Sequence, residues 1–260
     1  NNIFAYKRIN FMRYLLTVSY IGTAYHGWQV QKNARSVQQE MQDALENVLG
    51  FRPALSGCSR TDSGVHAKKY CCHFDCENPL NTEKILGGLN HFLPLDIGAL
   101  ALENVAEDFH ARYSCTGKEY KYVIYNSYRR DPFLEGRSCK YPHFLDEKLM
   151  DKAAKSFLGK HDFSAFCSAG AKEGDKIRTV YSARVERQGD KLIFTVAADG
   201  FLYNMVRIMV GTLIRVCEGK IDPDGIADII SRRDRSLAGP TAPAEGLYLN
   251  EIFYGEEDNE

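Results

Sequence analysis

One segment constrains the fold more than any other, because residues 202–217 are apolar at most positions around a predicted helix. A helix of this composition must be covered on several sides, so we expect it to be buried. Arg207 lies within it, and Gly211, four residues later, leaves room for another segment to approach. A buried guanidinium without a partner is costly, which favours a carboxylate from elsewhere in the chain. The alternative is a solvated polar edge formed by Asn204, Arg207, Arg215 and Glu218.

Length and composition are typical of a folded globular protein. The 260 residues fit one large domain or two of ordinary size, and we expect two lobes. Hydrophobic residues make up 44% of the chain and charged residues 26%, which argues against long disordered regions. No run reaches the roughly 18 uncharged apolar residues of a membrane span, so we expect a soluble protein with no membrane partner.

The eight cysteines are scattered and form no CxxC pair. This pattern is typical of reduced thiols in a cytoplasmic protein. A zinc site at Cys72, His73 and Cys76 is a weak interpretation, because closed zinc sites normally use tighter pairs and four ligands. We therefore expect no metal.

The two ends of the chain are predicted to lie outside the fold. Residues 1–12 lack the apolar stretch and cleavage site of a signal peptide and are interpreted as a leader or extension. Residues 255–260 form an acidic tail. Between them, residues 111–140 hold seven Lys or Arg and three acidic residues, a local balance of +4 in a chain of net charge −1. This surface is compatible with phosphate binding and equally with ordinary solvation.

Hydrophobic periodicity and turn residues divide the chain into alternating strands and helices. Strands are predicted at 13–20, 68–76, 97–105, 118–126, 179–187, 191–198 and 247–253. Helices are predicted at 36–50, 82–92, 145–158, 202–217 and 225–232, the first between a Ser36 cap and Gly50. This order predicts an α+β fold with helices on one face of a largely antiparallel sheet.

Residues 57–67 form a polar loop that leads into the predicted strand at 68–76. Gly57 and Gly64 permit a sharp turn and a close approach to a ligand. Asp62 and Arg60 would then be exposed side by side, which is suitable for binding a ribose or a nucleobase. The alternative is an ordinary turn, since Asp-Ser-Gly is common in turns.

Seven separated stretches together resemble the TruA-type tRNA pseudouridine synthases, in that family's order. They are 57–67, Tyr25-His26-Gly27-Trp28-Gln29, Phe109-His110-Ala111-Arg112, Lys118-Glu119-Tyr120-Lys121-Tyr122, His161-Asp162-Phe163, 201–207 and 241–247. The resemblance covers about Arg13 to Tyr254. It implies two similar α+β lobes, at 13–110 and 111–254, that share one continuous sheet with a central RNA-binding cleft.

The resemblance also implies roles for individual residues. Asp62 matches the catalytic aspartate, Tyr120 the tyrosine that packs on the uracil, and Arg207 the partner of the aspartate. Arg60 matches the arginine that helps to displace the target base. Further expected substrate contacts are His66, Arg112, Arg129 and Arg130. The family's pattern implies tRNA as partner, a homodimer, and neither cofactor nor metal.

The implied reaction converts uridine to pseudouridine, with positions 38, 39 and 40 of the anticodon stem-loop as the expected targets. Asp62 could attack the sugar, attack the base or remove a ribose proton. We expect its carboxyl to be ionised at neutral pH, from a reference pKa of about 3.9 that Arg207 would lower further. The chain departs from the family pattern at Cys58, Ser63 and Tyr203. Tyr203 stands where a basic residue or histidine is common in the family, so the resemblance does not imply a phosphate contact there.

Three other functions remain compatible with some of these features. A related synthase could act on other tRNA or RNA uridines. A catalytically silent RNA-binding protein would share the fold, although the presence of Asp62, Tyr120 and Arg207 argues against it. A carboxylate-dependent glycoside hydrolase would need a second catalytic acid, for which the sequence offers no compelling candidate.

Overall fold

The computed structural model describes residues 11–170 and 174–255. The leader predicted at 1–12 lies outside these residues except for Phe11 and Met12, and the acidic tail except for Gly255. Among the described residues, no helix combines the length and apolar character needed to cross a bilayer.

The described residues contain one sheet of ten strands. The strands are β1 (Met12–Tyr20), β2 (Ser56–Gly57), β3 (His66–Cys76), β4 (Ile97–Val105), β5 (Cys115–Tyr125), β6 (Cys139–Lys140), β7 (Gly159–Asp162), β8 (Ile177–Gln188), β9 (Lys191–Ala198) and β10 (Leu247–Tyr254). Their order is β4-β1-β3-β10-β5-β9-β8-β7, with β2 on β3 and β6 on β5. All pairs are antiparallel except β3–β10 and β5–β6. The predicted mixed α+β class with a large, mostly antiparallel sheet is confirmed.

The last strand lies in the middle of the sheet. β10 runs parallel to β3, with Leu249 opposite Ala67, and antiparallel to β5, with the same Leu249 opposite Tyr120. The last strand of the chain therefore joins β3 to β5. The loop that carries Asp62 ends where β3 begins, so this junction brings it close to Tyr120.

The described residues form five α-helices and several short 3-10 turns. The helices are α1 (Val37–Leu49), α2 (Thr82–Phe92), α3 (Glu147–Ala154), α4 (Met205–Cys217) and α5 (Ile226–Arg232). α1 begins as predicted, because the Ser36 side chain accepts a hydrogen bond from the Gln39 N–H, and it ends at Gly50 with a φ of 79°. α3 is shorter than predicted, because its last turn tightens into a 3-10 segment, Lys155–Phe157.

α4 begins three residues later than predicted. Asn204, the residue before it, has φ 61° and ψ 11°, a left-handed conformation that cannot continue a right-handed helix. From Met205 onwards the expectation of a buried helix is confirmed. Nine of its 13 residues are buried: Met205, Val206, Ile208, Met209, Val210, Gly211, Thr212, Leu213 and Val216.

The segment 239–242 crosses α4 at backbone contact distance. The Gly239 N–H donates to the Thr212 hydroxyl at 2.9 Å, and the Ala242 N–H donates to the Arg207 carbonyl at 3.1 Å. A Cβ on Gly211 would lie 1.8 Å from the Pro240 carbonyl oxygen. The approach expected beside Arg207 therefore occurs, and it requires glycine at this position.

We predict that Gly211→Ala destabilises the protein, although alanine is normally the better helix residue. The added methyl has backbone atoms in its way, so the free energy of unfolding should fall by about 1–3 kcal/mol. Urea unfolding followed by circular dichroism measures the change.

Gly87→Ala in α2 is the matched control, because a Cβ there meets no atom within 4 Å. This variant should gain about 0.5–1 kcal/mol. Equal stability changes in the two variants would contradict the packing argument.

Candidate active site

The loop between β2 and β3 carries Asp62 and is held from behind by aromatic side chains. The Tyr70 hydroxyl donates to the Ser59 carbonyl at 2.5 Å, and the Tyr20 hydroxyl bonds the Thr61 hydroxyl at 2.9 Å. Trp28 stacks on Tyr70 with ring centroids 4.0 Å apart. These buried rings fix the inner side of the loop, so its outer side presents Asp62.

Glycine is required at the start of this loop. A Cβ on Gly57 would lie 2.1 Å from the Tyr70 hydroxyl and 2.7 Å from the Trp28 indole nitrogen. At the other end Gly64 has a φ of 78°, which favours glycine for conformational reasons. The loop can therefore pack directly on the aromatic rings and still turn into β3.

Asp62 faces Arg207 of α4, as the sequence predicts. The Arg207 Nη1 lies 3.4 Å from an Asp62 carboxylate oxygen, and the two side chains are 17% and 33% exposed. Arg207 is held more tightly by neutral groups. Its Nε donates to the Ala242 carbonyl at 2.7 Å, and its Nη1 donates to the Asn204 Oδ1 at 2.8 Å.

The electrostatics of Asp62 differ from the expectation. Burial raises the pKa of the Asp62 carboxyl above its ordinary value, and the charge of Arg207 only partly opposes this. Arg207 does lower this pKa, as predicted, but the loss of hydration in the cleft raises it by more. Asp62 is consequently a carboxylate that is neither fully hydrated nor tightly paired, which suits a reacting group.

Tyr120 on β5 lines the cleft beside Asp62. The residue is only 7% exposed, and its ring packs edge-on against Phe201 with centroids 5.0 Å apart. Burial raises the pKa of the Tyr120 phenol, so its hydroxyl stays protonated at neutral pH. A flat, immobilised ring is therefore available beside the carboxylate.

Asp62 and Tyr120 line a cavity of about 930 Å³. Among the described residues that line it, five are cations and two are carboxylates. These are Arg60, Arg112, Lys118, Lys176 and Arg178, with Asp62 and Asp175. Their balance of +3 makes the cavity attractive to anions.

Two of the predicted substrate contacts lie in this cavity and three do not. Arg60 and Arg112 line it. Arg129 lies over its own neighbour, the Tyr128 ring, at 5.5 Å, and Arg130 lines a separate cavity of about 390 Å³.

His66 is fully buried, and its placement gives no support to the predicted substrate contact. The Gly22 N–H donates to its Nδ1 at 2.9 Å, and its Nε2 donates to the Glu245 carbonyl at 3.0 Å. Burial lowers the pKa of His66. The neutral ring therefore cross-links the loop after β1, the start of β3 and the approach to β10.

Arg112 is presented by a turn that two histidines stabilise. The Nδ1 of His110 accepts the backbone N–H of Arg112 at 3.1 Å, and the Nδ1 of His73 accepts that of Ala111, also at 3.1 Å. His73 thus has a structural partner. Among the described residues, no group of three side chains suited to a metal ion occurs at His73 or elsewhere.

The structure adds three residues that the sequence reasoning did not select. The Lys118 ammonium donates to the Cys58 carbonyl in the Asp62 loop at 2.9 Å, Phe201 supports Tyr120, and Asn204 binds Arg207. Lys118 could have been found, because it precedes Tyr120 by two residues and shares its strand face. Phe201 and Asn204 depend on a turn conformation that periodicity does not reveal.

We predict that His73 makes the protein less stable as the pH falls below about 6.5. Burial lowers the pKa of His73 to about 4, so the unfolded chain binds a proton at this residue before the folded chain does. The free energy of unfolding should therefore drop by about 1–2 kcal/mol from this group between pH 7.5 and pH 5. Urea titrations at the two pH values measure the drop.

His73→Asn is the test variant, since an amide oxygen can accept the Ala111 N–H without titrating. Its pH dependence should be smaller than that of the parent by about 1–2 kcal/mol. An unchanged pH dependence would show that His73 does not titrate in this way.

The chain matches known proteins over almost its whole length. A family whose description is tRNA pseudouridine synthase matches residues 153–255. The chain is 46% identical over 240 residues to the tRNA pseudouridine synthase A of Ruminiclostridium cellulolyticum, which covers 92% of this chain and 98% of that protein. It is 42% identical over 245 residues to the protein of the same name from Listeria monocytogenes serotype 4b, with 93% and 99% covered.

A solved structure of a Cbf5-Nop10-Gar1 complex also matches, with a TM-score of 0.33, 10% identity, and 77% of this chain and 53% of that chain covered. This likeness is too low to bear on the fold or the site. The identity to the curated relatives confirms the TruA-type resemblance, and the chain belongs to the tRNA pseudouridine synthase A family.

Proposed function

We propose that this protein isomerises uridine to pseudouridine in tRNA, at positions 38, 39 and 40 of the anticodon stem-loop. Its family membership supports the reaction and the class of substrate. The observation that carries the proposal is the position of Asp62, a half-buried carboxylate beside Tyr120 in a cavity of positive charge. The choice of positions rests on the family pattern.

The chemistry rearranges one nucleotide and needs no second substrate. The N1–C1′ bond breaks, the uracil turns, C5 bonds to C1′, a proton leaves C5, and the freed N1 takes up a proton, so that the product is an isomer of the substrate. Asp62 contacts the reacting nucleotide, and its weak pairing with Arg207 leaves oxygen lone pairs for that contact. Tyr120 and Phe201 hold the freed uracil by stacking while it turns, since a ring face tolerates rotation of the base.

A uridine stacked in RNA must leave the stack before it can reach Asp62. The cavity volume of about 930 Å³ is within the usual range for ligand pockets. Arg60 is exposed at the cavity, two residues before Asp62. It can fill the gap that the extruded base leaves, and Arg112 with Lys176 and Arg178 can hold the flanking phosphates.

The larger assembly is part of the same proposal. We place the boundary between two lobes at residues 110 and 111, with β10 crossing back to the sheet centre. A homodimer would hold the tRNA across both subunits, and Arg129 and Arg130, which lie outside the cavity, would contact parts of the RNA away from the target nucleotide.

We predict that the wild-type protein forms pseudouridine in unmodified tRNA transcripts and that Asp62→Ala does not. Removing the carboxylate should slow the reaction about 1,000-fold or more. Apart from Asp62, Asp175 is the one carboxylate that lines the described part of the cavity. Pseudouridine mapping at single-nucleotide resolution measures both product and position.

Product at positions other than 38, 39 and 40 would favour a related synthase that acts on other uridines. The proposed reaction would then stand and the proposed target positions would not. Tight binding of tRNA without product from either protein would favour the silent RNA-binding protein. Equal product from wild type and Asp62→Ala would contradict the role of Asp62.

We also predict that Arg112 contributes a phosphate contact. Arg112→Gln should weaken tRNA binding and reduce the slope of log affinity against log salt by about 1. Fluorescence anisotropy at several salt concentrations, with the Asp62→Ala protein as background, measures binding without turnover.

Lys84→Gln is the control, because Lys84 lies in the first turn of α2, is exposed and does not line the cavity. Its salt slope should equal that of the parent. If the two variants changed the slope equally, the binding would depend on general surface charge and not on the cavity.

A further inference from the structure

Asn204 has an unusual backbone for the residue that begins a buried helix. Its φ of 61° is left-handed, and among the described residues only Arg233 shares a positive φ without being glycine. Asparagine tolerates this conformation better than most residues, yet it still costs free energy. An asparagine at a helix start usually accepts an N–H of the first turn, but Asn204 makes no such bond.

The Asn204 side chain instead joins the cavity wall to Arg207. Its Oδ1 accepts from the Arg207 Nη1 at 2.8 Å, and its Nδ2 donates to the Ser168 hydroxyl at 2.9 Å. The Ser168 N–H in turn donates to the Tyr203 carbonyl at 3.1 Å. Both ends of the amide are thereby occupied, which fixes its orientation.

Arg207 is placed by these neutral acceptors more than by Asp62. Its bonds to Asn204 and to the Ala242 carbonyl are 2.8 Å and 2.7 Å long, whereas its distance to Asp62 is 3.4 Å. A guanidinium that is oriented in advance can stabilise a carboxylate without forming a tight ion pair with it. The positive charge is therefore fixed in place while Asp62 remains free for the substrate.

We propose that Asn204 is a positioning residue, which uses its left-handed backbone to hold the Arg207 guanidinium against Asp62. The inference rests on the proposed function for its kinetic effect, but its structural effect can be measured without any reaction.

The other charged or titratable groups around Asp62 stay the same in every variant below. Among the described lining residues they are Arg60 on its own loop, Lys118 and Tyr120 on β5, and Arg112, Cys167, Asp175, Lys176, Arg178 and Tyr203 around the cavity. A change in the titration of Asp62 can then be assigned to Arg207 and its anchor.

Asn204→Gly keeps the left-handed backbone accessible and removes only the side chain. The single-turnover rate should fall roughly tenfold or more at all pH values, because a hydrogen bond to a charged group is lost. The KM for tRNA should stay within about twofold, since Arg207 does not line the cavity and the Asn204 amide, which does, is already bonded to Ser168 and Arg207.

Asn204→Asp keeps the shape, the acceptor and the tolerance of a positive φ, but adds a negative charge next to Arg207. The guanidinium stays anchored, so the rate at high pH should remain within about threefold of wild type. Because Arg207 is shared between two carboxylates, Asp62 should bind its proton at higher pH. The acid limb of the rate profile should therefore move to higher pH.

Carbon NMR of aspartate carboxyls, with the Asp62 signal assigned from Asp62→Asn, measures this titration directly. The Asp62 pKa should be higher than in wild type for both Asn204→Gly and Asn204→Asp. If the wild-type protein made no pseudouridine, the proposed function would fail, yet this titration would still decide the anchoring role.

Arg233→Gly is the matched control for backbone strain, because Arg233 has a φ of 56° and its ion pair within the described part of the chain is with Asp162, at 3.2 Å, outside the cavity. It should leave the rate and the Asp62 pKa unchanged. Asn204 would be merely structural if Asn204→Gly kept the wild-type rate and pH profile. The same would follow if both Asn204 variants lost activity equally with the Asp62 pKa unmoved.

Discussion

The backbone crossing between α4 and residues 239–242 is the constraint on which the site depends. The contact is close enough to require glycine at position 211, and it places the Ala242 carbonyl on Arg207. The residues that follow this segment supply the Pro243 carbonyl to the Tyr122 hydroxyl at 2.8 Å and the Glu245 carbonyl to His66. Arg207, the strand of Tyr120 and the end of the Asp62 loop are therefore positioned by one stretch of chain, which continues into β10.

The balance at Asp62 explains how the proposed active site could keep a carboxylate available for reaction. A tight, bidentate pair with arginine would keep the aspartate ionised but would occupy its oxygens. Burial alone would leave it protonated more readily. Here burial raises the pKa of Asp62 and a guanidinium at 3.4 Å opposes the rise. The positive charge therefore favours the ionised carboxylate while its oxygens stay free of a tight ion pair.

Elements with strong local signals could be predicted from the sequence. α2 and β4 have the predicted bounds, and α1 begins and ends at its predicted caps. The two-residue strands β2 and β6 were not predicted, because their pairing depends on neighbours distant in the chain. α4 was predicted to begin at Leu202, since periodicity cannot reveal the left-handed backbone of Asn204.

The site, like the fold, could be predicted where the sequence carries a local motif and could not where it depends on tertiary packing. Asp62, Tyr120 and Arg207 lie in separate motifs. The structure places Asp62 and Tyr120 with Arg60 and Arg112 at one cavity, and Arg207, which does not line it, lies 3.4 Å from Asp62. His66 lies in the same motif as Asp62, but whether a histidine faces a ligand or the interior depends on tertiary packing, and here both ring nitrogens bind the main chain. Motif membership alone therefore does not separate residues that contact a substrate from residues that hold those contacts in place.

Net charge was the least informative part of the sequence, and the structure shows why. The chain carries a formal charge of −1, which by itself gives no reason to expect an RNA substrate. The described lining of the cavity nevertheless holds five cations and two carboxylates. Because ionic screening limits the reach of exposed charges to about 10 Å, a phosphate at the cavity responds to this local balance and hardly to the acidic residues elsewhere on the protein. Recognition of an anionic substrate thus depends on where the fold gathers its arginines and lysines, which only the three-dimensional arrangement determines.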